Sequence, residues 1–135
     1  AIVGDDPFGV VDPSDLCNAL ESYRRSLDHM LQHDKYSVDT GKVYTNLGLC
    51  CTLQGEYKTA KQYFDDGKHI YSQLNQLSLP PNMTRLYNLG CMLKKSKDAA
   101  QAKSKLLEAR EIAEVFSNQK MLSAIDKAMD GLQSN

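Results

Sequence analysis

His29 and His33 are the pair in this chain best spaced to bind a metal ion. Four residues apart on a helix, two imidazoles project from one face, and Asp28 and Asp34 stand beside them. A simpler account competes: a histidine near a helix C-terminus interacts favourably with the helix dipole and sits in water. That account is preferred, and no metal site is expected. His69, between Lys68 and Ile70, needs no special role. The cysteines are Cys17, Cys50, Cys51 and Cys91. None forms a CxxC pair, and adjacent Cys50 and Cys51 would point about 100° apart on a helix, so zinc has no support. Three of them fall in apolar helical patterns as small fillers, which implies a reducing, cytoplasmic compartment. The chain has no Gly-rich phosphate loop, no GxSxG, no HExxH and no credible Cys–His pairing. No nucleophile or general base can be assigned. No cofactor is expected, and the chain reads as a non-enzyme.

Asn46 and Asn88 offer a different chemistry. A carboxamide both donates and accepts hydrogen bonds, so a row of them can pair with the backbone of an extended peptide whatever its sequence. The two sit in matching surroundings, Tyr44-Thr45-Asn46-Leu47-Gly48 and Leu86-Tyr87-Asn88-Leu89-Gly90, with the Asn-Leu-Gly triplets 42 positions apart. Ala60, Phe64 and Gly67 follow the first triplet; Ala102, Leu106 and Ala109 follow the second at the same spacing. Such a period marks stacked helical hairpins. Gly48 and Gly90 lie inside helical patterns, where glycine costs about 1 kcal/mol relative to alanine. The same cost at the same place twice calls for close helix contact, with Ala60 and Ala102 opposite and Phe64 and Leu106 supplying bulk.

The elements follow from the apolar spacing. Residues 1–11 read as an arm or linker, punctuated by Gly4, Pro7 and Gly9. Residues 12–135 read as the helical domain: 12–33 a half repeat, 38–77 and 82–116 two repeats, and 118–133 a terminal or capping helix. Asp12 caps the first helix and Pro13 opens it. Ser37 or Asp39 starts the second, and Gly55 ends it. Pro80 and Pro81 terminate the third, the fourth starts near Asn82, and Ser96 or Asp98 caps the fifth. No alternating strand pattern of useful length appears. The fold is therefore expected to be all-α, a stack of antiparallel hairpins with about six helices.

The chain has 135 residues and a net charge of −1, which suits one domain and argues against nucleic acid as the main ligand. No apolar run approaches a membrane span, and the start, Ala1 to Gly9, lacks the charge pattern of a signal peptide. A first residue other than Met suggests a processed product or part of a longer chain. Asn82-Met83-Thr84 is a formal glycosylation sequon whose use is not expected.

Tyr44, Leu47, Gly48, Cys51, Ala60, Phe64 and Gly67, matched again by Leu86, Leu89, Gly90, Leu93, Ala102, Leu106 and Ala109, resemble the tetratricopeptide repeat in order and spacing. Gly55 and Tyr57 also fit the first turn; Lys97 and Ala99 replace them in the second, which is expected to be less regular. The family's usual period is 34 residues. The longer period here is similar to the repeats of kinesin light chains and related adaptors. Ala19, Tyr23 and Ser26 repeat the spacing of Ala60, Phe64 and Gly67, so the first helix resembles the second half of a repeat.

The resemblance implies a right-handed superhelix whose concave groove is lined by the first helix of each hairpin. It places Lys42, Thr45, Asn46, Leu49, Thr52 and Leu53, then Thr84, Tyr87, Asn88, Cys91, Lys94 and Lys95, towards that groove. It also implies an Asn ladder of the kinesin light chain kind at Asn46 and Asn88. The chaperone-binding members' carboxylate clamp is not expected, because Thr45, Leu49, Tyr87 and Cys91 stand where it needs Lys and Asn. Lys94, Lys95, Lys97, Lys103 and Lys105, with Arg85 and Arg110 near in sequence, form a basic cluster; a solvated face is the preferred reading. Asp5-Asp6-Pro7-Phe8 has a composition some such grooves accept, although a linker is preferred. The expectation is a non-catalytic interaction module holding a peptide or partner protein, with no nucleic acid and no membrane. The alternative is a regulatory or structural segment of a larger signalling protein that packs on its own domains or self-associates.

Overall fold

The computed structural model describes residues 13–132, over which the chain is all-α. Six helices follow in order: α1 (Pro13–His33), α2 (Val38–Leu53), α3 (Tyr57–Gln73), α4 (Pro80–Lys95), α5 (Ala99–Val115) and α6 (Gln119–Asp130), with no strand among the described residues. The arm at 1–11 and the Asp12 cap lie outside the described residues. Helices α2 and α3 form one hairpin, and α4 and α5 the next. Helix α1 packs on α2, α4 packs on both α2 and α3, and α6 packs on α5.

The 42-residue period is a period of structure. Each end of α4 and α5 is the corresponding end of α2 and α3 moved on by 42 residues. The turns obey it too. Gly55 (φ 79°) and Lys97 (φ 71°) are equivalent left-handed residues, as are Asn75 (φ 57°) and Ser117 (φ 51°). Each of the four closes its helix with the same backbone pair, the next residue's N–H reaching back five residues, as in Glu56 N to Cys51 O and Asp98 N to Leu93 O. The turn at Lys97 is thus as regular as the one at Gly55, contrary to expectation. Hydrogen bonding sets its shape, and the lysine is held in a region that glycine occupies without strain. Lys97→Gly is therefore expected to raise stability by about 0.5–1 kcal/mol, read from the midpoint of urea denaturation.

Ser37, Asp98 and Asn118 cap α2, α5 and α6 by accepting from the N–H groups of Thr40, Gln101 and Met121. The two prolines do something other than end α3. That helix stops at Gln73, and Pro80 and Pro81 are the first two residues of α4. Proline suits a helix's first turn because the N–H it lacks has no intrahelical partner there.

Small residues set the spacing between helices. A Cβ on Gly48 would lie 2.7 Å from the Phe64 ring, and one on Gly90 2.8 Å from Leu106. Gly67 is less tightly held, a Cβ there lying 3.3 Å from Arg85 and 3.4 Å from Tyr44. Gly41 lies directly against the Tyr71 ring. Their counterparts in the second hairpin, Met83 and Ala113, are both buried in one apolar cluster, so large and small have exchanged sides. Leu47, Phe64, Ile70, Leu106 and Ile125 have essentially no accessible surface. Burial of each such side chain contributes roughly 1.5–3 kcal/mol relative to exposure.

The first helix of each hairpin is interior. Eleven residues of α2 and eleven of α4 are buried, against five each in α3 and α5. Helices α3 and α5 cover one side of them, and α1, α6 and the neighbouring hairpin cover much of the rest.

Candidate interaction face of α2 and α4

That burial corrects the expected contact surface. Thr45, Leu49, Thr52, Tyr87, Asn88 and Cys91 are all buried. Thr45 and Thr52 satisfy their hydroxyls internally, donating to Gly41 O at 3.0 Å and Gly48 O at 2.8 Å. Tyr87 and Cys91 belong to the apolar cluster built with Ile125 and Met129. Lys94 is half-buried and donates from Nζ to Ala128 O at 2.9 Å, placing a cation on the last turn of α6 where the dipole favours it. Lys42 and Lys95 are exposed, and Asn46, Leu53 and Thr84 are half-buried. Of the residues expected to face a partner, these five and Lys94 present surface.

The two asparagines occupy equivalent positions in unlike surroundings. Asn46 reaches the surface, whereas Asn88 has no accessible area and neither Nδ2 nor Oδ1 has a hydrogen-bond partner. A buried amide left without partners costs about 1–3 kcal/mol.

The basic cluster does not assemble as one surface. Arg85 is buried, Lys94 caps α6, Lys105 pairs with Glu108 at 3.1 Å, and Arg110 pairs with Glu114 and Asp126. The sequon is closed as well. Asn82 donates from Nδ2 to Leu77 O, and its Oδ1 accepts from Arg85 Nε.

Arg85 is the residue that sequence reasoning misplaced. It is 1% exposed, donates from Nε to Asn82 Oδ1 at 2.7 Å and from Nη1 to Phe64 O at 3.2 Å, and so ties α4 to α3. Burial pulls its guanidinium down to about 10, with Asp65 and Glu108 acting the other way. The signal was present: its counterpart 42 residues earlier is Val43, a core residue. Arg85 lines a cavity of about 270 Å³ between the two hairpins that touches none of the expected contact residues.

The His29 and His33 rings lie tilted to one another with centroids 4.5 Å apart, and no third metal-ligating side chain joins them among the described residues. Compared with protein-family models, with curated proteins and with solved structures, the chain matches none. Among the described residues no helix is long and apolar enough to cross a membrane.

Burial also governs the thiols. It raises Cys50 to about 11 and pushes Cys51 up, while Cys17 is exposed. A thiol reagent at neutral pH is expected to label Cys17 rapidly and Cys50, Cys51 and Cys91 only on unfolding, as counted by intact-mass spectrometry. Burial likewise lifts the Tyr71 phenol to about 12. Both groups hold their protons more tightly folded than unfolded. Their contribution to stability is complete below the ordinary thiol value of 9.0 and is lost as pH rises through these higher values.

Proposed function

We propose that the chain is a non-catalytic interaction module of tetratricopeptide type, binding an extended peptide segment of a partner protein along α2 and α4. The observation that carries this is Asn88, a fully buried amide with no partner, at the position equivalent to the accessible Asn46. Native folds rarely leave such a group unsatisfied, and the exceptions concentrate where function requires them. A peptide backbone supplies both missing bonds at once. Because Asn88 is fully buried, binding in this way requires the packing over its amide to open, at a cost those bonds must offset. Asn46 holds the same strand one hairpin earlier. Lys42 and Lys95, both exposed, draw acidic residues of the ligand.

The test is selection of binders from a library of displayed peptides, followed by titration of a selected peptide into wild type and into Asn46→Ala/Asn88→Ala. The double variant is expected to stay helical and to bind at least about tenfold more weakly. Equal binding by the two proteins refutes the amide ladder.

A second reading has its own observation. Val115 is 78% exposed and Phe116 45%, side by side at the end of α5. Large apolar side chains gathered on a surface mark contact with another protein surface. In this reading the chain is a structural segment that packs on its own larger protein or on a second copy. A mass that rises with concentration in sedimentation, abolished by Val115→Ser/Phe116→Ser, would favour it.

A further inference from the structure

We propose that the cavity between α3, the connection before α4, and α5 binds a small aliphatic zwitterion, an α-amino acid of the leucine or valine kind. This site is separate from the α2–α4 face. At about 270 Å³ it suits a small molecule, not a folded partner.

Arg85 forms one wall. A guanidinium carries five N–H donors, and Asn82 and Phe64 take two of them. No ion pair among the described residues includes Arg85. Asp65 and Glu108 act on its charge without either forming an ion pair with it, so the buried guanidinium is only partly compensated. The remaining donors suit a carboxylate, which a guanidinium receives in two parallel hydrogen bonds. Lys68 adds positive charge from α3.

The α5 wall carries the opposite sign. Glu108 is paired with Lys105, whereas Glu111 makes no ion pair among the described residues. A simple anion would be attracted by Arg85 and repelled by the two glutamates. A simple cation would meet the reverse. A molecule bearing both charges escapes both penalties, with its carboxylate on Arg85 and its ammonium towards Glu111. Leu77, Leu86 and Ile112 line the same cavity and offer an aliphatic side chain an apolar surface.

The test is calorimetric titration of L-leucine into the whole chain, beside N-acetyl-leucine, which lacks the ammonium, and leucinamide, which lacks the carboxylate. Leucine is expected to bind saturably with Kd near or below about 1 mM. Each blocked analogue should bind at least about tenfold more weakly. Arg85→Gln removes a buried group and can unfold the chain, so the exposed Glu111→Gln provides the second arm. It should weaken leucine about fivefold with helicity and melting unchanged. No saturable binding of leucine or valine up to about 10 mM overturns the proposal. So does equal binding of either blocked analogue, or a Glu111→Gln protein that binds like wild type.

Discussion

Gly41→Met is expected to destabilise the chain severely, and adding Tyr71→Ala to it should recover most of the loss. On helix propensity alone the first change is favourable by nearly 1 kcal/mol. Packing reverses the sign. A Cβ on Gly41 would stand 2.5 Å from Tyr71 Cζ, and Tyr71 has no accessible surface, so its ring cannot swing aside. Overpacking of this kind costs about 1–3 kcal/mol or more. Tyr71→Ala alone leaves a cavity worth about 3–5 kcal/mol. The second hairpin already carries the combination, with Met83 and Ala113 at the equivalent places. The double variant therefore copies a solution that the fold contains. Urea denaturation of the two single variants and the double should give a favourable coupling of at least about 2 kcal/mol. Losses that simply add would mean that the hairpins match in sequence spacing but not in packing.

Asn88→Leu is expected to stabilise the fold while abolishing peptide binding. Leucine closely matches asparagine in shape, and the change removes two polar atoms that meet no partner. The gain is about 1–3 kcal/mol, several degrees in melting temperature for a domain of this size. Asn46→Leu, at a half-buried position, should move stability by no more than about 0.5 kcal/mol. The contrast separates a structural amide from a functional one. If Asn88→Leu lowers stability, the amide is satisfied internally, by a water for example, and the main support for the peptide reading is gone.

The period was legible because it was written in costly residues. Gly48 and Gly90 each forgo helix stability, and only close contact with Phe64 and Leu106 explains that. Helix count and most caps were legible for related reasons: apolar spacing and short polar side chains act locally. Three features were not. Pro80 and Pro81 are compatible with both the end of one helix and the start of the next, and the choice depends on where the α3 turn closes. Lys97 has no propensity for a left-handed turn, so its regularity comes entirely from the backbone bonds around it. The exposure of α2 and α4 was misjudged because a repeat register says which residues are equivalent, not how many neighbours each has. Asn46 on α2 keeps part of its surface although α2 packs on both α1 and α4, whereas Asn88 on α4 keeps none. Arg85 shows the same limit: a charged residue at a core position of a repeat reads as surface until its counterpart, Val43, is set beside it.

The most direct measurement is amide chemical-shift mapping of a library-selected peptide on the isotope-labelled chain. The account predicts that the largest shifts cluster along α2 and α4, around Lys42, Asn46, Asn88 and Lys95, and vanish in Asn46→Ala/Asn88→Ala. Shifts centred on Val115 and Phe116, or unchanged by the double substitution, would contradict it.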